Sequence, residues 1–297
     1  MKKFTIISLI IAAVLFGIGV LLTIIGLFNN GNIVNMWENR EFSIQSGTLK
    51  DEDFDNLYNE DKFTEVLSCR EDEITGLAVD VVEGSLVIKQ SDDDMCHIMT
   101  SDEAKVESRM DNGIVRIKED SDGPFKWIHI GILNKSYTKT IIYLPEKKLK
   151  SIDIMMEAGN VKLYGVEAEK CTINMQAGAL YGVEAQTFNE FTAKIKAGTI
   201  EMDELYADKG KINCELGNFS MLDGALASND IKCQMGNVEL LMLGEEADYQ
   251  YDVNVAMGDV DIGDMSYSGQ DIHKGSDNSK EIKIDCEMGQ VTVDFEQ

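Results

Sequence analysis

The chain has 297 residues and a formal net charge of −26, with 53 acidic side chains against 27 lysines and arginines. That length admits one large domain or two small ones. The only arginines are Arg40, Arg70, Arg109 and Arg116, so the chain lacks the basic stripe needed for nucleic acid or anionic lipid head groups. An acidic surface of this kind keeps the chain solvated and could draw in cations or cationic peptides.

Residues 1–3 form a short basic tip (Lys2, Lys3), and Phe4 to Phe28 then run without a charge. As a helix those residues span roughly 37 Å, enough to cross a hydrocarbon core of about 30 Å. A cleaved signal peptide is the rival reading. Its apolar core runs about 7–15 residues and ends in a small-x-small site, whereas Gly26 to Gly31 offers no such site. The prediction is an uncleaved transmembrane helix over 4–28. The cations on its N-terminal side place the N-terminus in the cytoplasm and the bulk of the chain outside, at the cell membrane.

Residues 29–73 read as an acidic juxtamembrane spacer. Its scattered apolar residues, Phe54, Leu57, Tyr58, Phe63, Val66 and Leu67, could line a short helix or order against the domain that follows. From Ile74 the texture becomes alternation at period two, the signature of strands. It runs through Leu77 to Val82, Gly84 and Leu86 to Ile88, then Val106 to Lys118 around Gly113, then Thr140 to Leu144 before Pro145.

An internal repeat dominates the remainder, most regularly over 151–297. Gly159, Gly178, Gly198, Gly217, Gly236, Gly258 and Gly289 follow one another at spacings of 19, 20, 19, 19, 22 and 31. Five residues before each stands Ile154, Ile173, Ala193, Ile212, Ile231, Val253 or Ile284. Three before stands Met156, Met175, Ile195, Cys214, Cys233, Val255 or Cys286, and two after stands Val161, Leu180, Ile200, Phe219, Val238, Val260 or Val291. The residue just before each glycine (Ala158, Ala177, Ala197, Leu216, Met235, Met257, Met288) is apolar too and is assigned to the interior. Such spacing needs a phase shift at the glycine, absorbed by a bend or bulge without a Cβ. Each unit is thus a strand, a Gly corner, a second strand and a loop. One unit cannot bury its own apolar face, so units must stack. The predicted fold is all-β: a single-stranded β-helix or β-solenoid of Gly-punctuated coils over 74–297, preceded by one transmembrane helix. The 22- and 31-residue spacings read as loop insertions, the longer being Ser266 to Ser279. The last strand, 290–295, reads as an uncapped edge.

The motifs Glu157-Ala-Gly-Asn-Val-Lys-Leu163, Glu215-Leu-Gly-Asn-Phe-Ser-Met221, Gln234-Met-Gly-Asn-Val-Glu-Leu240 and Ala256-Met-Gly-Asp-Val-Asp-Ile262 resemble a bacterial "putative adhesin" repeat domain family of unknown function. The resemblance covers about Ile74 to the end. It implies a β-helical fold at the cell envelope, with some relatives acting as envelope-stress regulators, and it brings no catalytic residues.

Polar residues that could suggest chemistry have structural readings. Asn160, Asn218, Asn237 and Asp259 form a row after the corner glycines, but Ala179 and Thr199 interrupt it as a calcium-ligand row, and Asn and Asp also suit turns. Of the six cysteines, four fall at interior repeat positions, where cysteine behaves as a small hydrophobe. Cys69 and Cys96 lie outside the repeats, and their pairing is left open. His97, His129 and His273 sit apart in polar contexts, and no metalloprotease, nucleophile-elbow or phosphate-loop motif occurs. The residues therefore predict no catalytic, metal or cofactor site. The expected function is a non-enzymatic extracytoplasmic binding module. It would touch the lipid bilayer through its N-terminal helix and meet a cell-wall polymer, a surface protein or a membrane signalling partner, with no nucleic acid among its partners. Tyr164, Tyr181, Tyr206, Tyr249 and Tyr251, expected to be exposed, and the 266–279 insertion are the expected contact points. Envelope-stress signalling through a membrane partner is the alternative, and a polysaccharide-active β-helix enzyme is the weaker one.

Overall fold

A computed structural model describes residues 63–102, 105–119, 138–268, 271–275 and 280–296. The expected tip, transmembrane helix and spacer as far as residue 62 lie outside them, as does His129. Among the described residues no helix is long and apolar enough to cross a membrane.

The described chain is all-β. Its N-terminal part comprises β1 (Thr64–Arg70), β2 (Gly76–Gln90), β3 (Met95–Thr100), the hairpin β4 (Val106–Asp111) and β5 (Ile114–Glu119), and β6 (Thr138–Leu144). The repeats follow as β7 (Leu149–Tyr164), an unbroken extended run β8 (Glu167–Met235), β9 (Val238–Leu243), β10 (Tyr249–Met257), β11 (Asp259–Ile262), β12 (Met265–Ser268), β13 (Asp271–Lys274), β14 (Lys280–Met288) and β15 (Val291–Glu296). The end of the expected spacer is therefore strand rather than helix: β1 pairs antiparallel with β3, and Val66 and Leu67 pack on the core.

Successive repeats lie side by side, parallel and in register. Ile154 pairs with Ile173, Met156 with Met175 and Val161 with Leu180. The residues five and three before each glycine and two after it are all buried. Alternation on a half-buried strand dictates this arrangement. The corner glycines stack as well. A Cβ on Gly178, Gly198, Gly217 or Gly236 would fall 1.7–1.8 Å from the carbonyl oxygen of the preceding corner glycine. These glycines also hold φ near +126° to +145°, a region closed to residues with a Cβ. Gly84 is an eighth member: it pairs with Gly159, and a Cβ on Gly159 would lie 1.9 Å from its carbonyl oxygen. Val79, Val81 and Leu86 around it are buried in the same phase.

The phase shift occurs, but one step earlier than the sequence implies. Cross-strand pairing skips the residue two before each glycine, so Val81 and Glu83 pair with Met156 and Ala158 while Val82 and Glu157 are passed over. The residue just before the glycine then turns outward. Leu216, Met235 and Met257, expected inside, are 50%, 52% and 58% exposed.

The loops between repeats are mostly extended and belong to β8. Where one spacing rises to 20, Glu184 takes φ +66°. The buried Gln186 fills the resulting turn, its amide donating to the carbonyls of Leu163 (3.1 Å), Val183 (2.8 Å) and Glu184 (3.1 Å) and accepting from the Val166 N–H (3.1 Å).

At the C-terminal end the order in space departs from the order in sequence. β14 pairs in parallel with both β8 and β10, and β15 with both β9 and β11. The Gly289 unit thus lies between those of Gly236 and Gly258, and a Cβ on Gly289 would meet Gly236 O at 1.7 Å while one on Gly258 would meet Gly289 O at 1.7 Å. The final strand is an interior rung, not the open edge expected. The 266–279 segment supplies β12 and β13, which pair antiparallel with β11 and β10 and close that end of the sheet. Strands of four residues make poor templates for edge pairing.

Candidate functional site

The outward face of five neighbouring strands forms a groove of about 440 Å³, bordered by residues of β4, β5, β2, β7 and the start of β8. Strand registers align its side chains in two rows. One runs Arg109, Arg116, Ala78, Asp153, Thr172; the other runs Glu107, Lys118, Asp80, Met155, Asn174. Charges alternate through Glu107, Lys118 and Asp80 in the second row. In the first row Arg109 and Arg116 are direct register partners across the β4/β5 hairpin, whose turn is Asn112-Gly113 with both φ positive. Like charges directly opposite destabilise a strand pair. Arg116 has one long ion contact, 3.6 Å to Asp111, and Arg109 forms no ion pair among the described residues. Ala78 leaves a depression beside Arg116, and Met155 beyond it is 54% exposed.

The tyrosines expected to make the contact surface do not converge. Tyr249 and Tyr251 are 2% and 5% exposed, a correction to their expected exposure. They share parity with Val253 and Val255 and so face the core. Their hydroxyls donate to the Leu243 carbonyl (2.6 Å) and to Glu246 Oε1 (2.9 Å), and burial raises both phenol pKa values. Tyr164 and Tyr181 are half-buried around Lys162, whose Nζ lies 5.8 Å from each ring. Lys162 is buried between Val87 and Tyr181. Tyr206 is half-buried in a later repeat, its pKa raised by burial and then by Asp223 and Glu204.

Two members of the asparagine row bond between rungs. Asn218 Oδ1 accepts from the Asn237 N–H (3.0 Å), and Asn237 Oδ1 from the Gln290 N–H (3.1 Å). Cys214, Cys233 and Cys286 occupy adjacent rungs. Each thiol points at a corner-glycine carbonyl: Gly198 at 3.7 Å, Gly217 at 3.6 Å and Gly236 at 3.7 Å. Burial pushes the Cys214 thiol up to about 11. Cys69 and Cys96 are buried free thiols on directly opposite residues of β1 and β3. His97 joins the same strands, Nδ1 lying 2.8 Å from Glu65 Oε1 and Nε2 3.2 Å from Asp93 Oδ1. His273 lies 3.0 Å from Asp252, away from His97. Among the described residues no cluster of three or more His, Cys, Asp or Glu is arranged to hold a metal ion.

The Toastrack DUF4097 family matches residues 74–262, more than half of the chain. The chain belongs to this family. The Toastrack region spans the groove and the glycine ladder from Gly84 to Gly258. Solved structures similar to this Toastrack chain include a "putative cell adhesion protein" from Clostridium sporogenes (12% identity, 79% of this chain and 99% of that one, TM-score 0.39). A "putative adhesin" from Bacteroides fragilis is similar at 12% identity over 78% of this chain and 97% of that one (TM-score 0.41). A "putative lipid binding protein" from Parabacteroides distasonis is similar at 11% identity over 79% and 96% (TM-score 0.34). No curated protein matches the chain.

The groove residues carry little mark in the Toastrack sequence. Arg109 and Asp153 are 44 positions apart, and only the register of β4, β5, β2 and β7 sets them in one row. The scarcity of arginine was the one available signal, since two of the four fall in this hairpin.

Proposed function

We propose that this Toastrack chain is a non-enzymatic β-solenoid module held at the outer face of a membrane by an anchor over residues 4–28, and that it binds a cell-surface polymer through the β4–β5–β2–β7–β8 groove. The observation that carries this reading is the groove itself. It is a depression whose β2, β7 and β8 strands are locked in register by the glycine stack, with the β4–β5 hairpin paired onto β2, and it presents guanidinium, carboxylate, hydroxyl and amide groups side by side. Preorganised polar groups on rigid strands suit binding. Membrane display rests on the uncharged 4–28 run and the lysines before it.

The test uses the full-length chain in nonionic detergent, co-sedimented with isolated cell-envelope material. The wild type should sediment, and the Arg109→Gln/Arg116→Gln variant should lose most of that binding. Failure of the wild type to sediment, or equal sedimentation of both, would overturn the reading.

A further inference from the structure

We infer that the groove takes a carboxylate-bearing sugar, the acidic unit of a polysaccharide; this rests on the reading of the groove as a polymer-binding site. Three features select the ligand. The first is the Arg109–Arg116 pair. Like charges on directly opposite residues of a strand pair cost stability, a cost that a bound anion would offset, and the forked donors of arginine match a carboxylate in bidentate fashion. Arg109 spends none of its donors on an ion pair among the described residues, and Arg116 has only its 3.6 Å contact with Asp111.

The second feature is what lies beyond the depression at Ala78. Asp153, Thr172 and Asn174 offer acceptors and donors on neighbouring strands, the groups that hold sugar hydroxyls. Met155, 54% exposed, supplies an apolar wall for the C–H face of a ring. A cavity of about 440 Å³ falls within the range of about 300–1,000 Å³ typical of small-ligand sites.

Charge is the third. The whole chain carries −26 and repels anions, yet in the groove Arg109, Arg116 and Lys118 balance Glu107, Asp80 and Asp153. Asp111, 3.6 Å from Arg116, adds one more carboxylate beside the groove, but screening over about 8 Å at physiological salt limits the rest of the surface, so a singly charged carboxylate meets far less repulsion here than elsewhere on the chain. Asp153 disfavours a doubly charged phosphate more. Among the described residues no aromatic side chain lines the groove, where a nucleobase would need a stacking platform. A peptide would need pockets for apolar side chains, and Ala78 and Met155 offer little depth.

The test is calorimetric titration of the detergent-solubilised full-length chain with a trigalacturonate. The same titration is run with maltotriose, a tripeptide with a free C-terminal carboxylate, and inorganic phosphate. Trigalacturonate should bind, and the other three should bind at least about tenfold more weakly. Arg109→Gln should weaken trigalacturonate by about tenfold or more, and Asp153→Ala should weaken it through the hydroxyl end while the thermal midpoint stays unchanged. Both positions are exposed, so the two variants check each other should either fold poorly. Equal binding of maltotriose, preference for the tripeptide or phosphate, or no effect of either variant would overturn the ligand assignment. Binding of trigalacturonate without envelope co-sedimentation would keep the sugar site and sink the polymer-binding reading; envelope binding without trigalacturonate binding would do the reverse.

Discussion

At the residue scale the corner glycines leave no room for a side chain. A Cβ at Gly217 would sit 1.7 Å from the Gly198 carbonyl oxygen, at φ +138°. The obstructing atom is backbone and cannot swing aside. Gly217→Ala should therefore cost about 3 kcal/mol or more, read as a shift of the denaturant midpoint. Gly210→Ala should cost well under that, because its Cβ meets only Leu226 and Ile212 side-chain atoms at 3.3–3.5 Å; equal losses would contradict the ladder. His97 gives a pH-dependent prediction. Its hydrogen bond to Glu65, helped by Asp93, raises its pKa above the ordinary 6.5 despite partial burial. A raised pKa means that the folded state favours the charged ring. The resulting stability is present below about pH 6.5 and is lost as pH rises through the higher folded value. The thermal midpoint difference between wild type and His97→Gln should shrink from about pH 6 to pH 8.5, and a difference that grew would refute the β1–β3 tie.

At the element scale the repeat was legible because its signal is local. Positions five and three before each glycine and two after it alternate as a half-buried strand must, and all are buried. The misassigned position, one before the glycine, failed for a local reason too. Ala, Leu and Met there suit an interior, but the ladder is broken one residue earlier and turns them out. The burial of Tyr249 and Tyr251 was misjudged as exposure, although parity with Val253 places them inside. Rung order was not legible, because periodicity says that a unit must stack and not upon which neighbour. Met235 and Met288 are register partners, as are Met288 and Met257. A Met235→Cys/Met288→Cys variant should form a disulfide under mild oxidation, the rungs being about 4.8 Å apart, whereas Met235→Cys/Met257→Cys spans two rungs and should not. The opposite outcome would restore sequential order.

At the scale of the whole molecule, a stack of coupled rungs converts many weak strand pairings into one rigid support. It is capped by β12 and β13 at one end and continued by the β4–β5 hairpin and the β6, β3 and β1 strands at the other. The groove belongs to that N-terminal end, where the repeat is least regular and the sequence least informative; its chemistry arises from pairing between distant segments. Display on the outer side of a membrane is the use proposed for such a support. Protease treatment of intact cells carrying the full-length chain tests that most directly. Cleavage that removes the residue 74–297 region while a cytoplasmic marker survives is the predicted result; full protection of that region until the membrane is opened would contradict it.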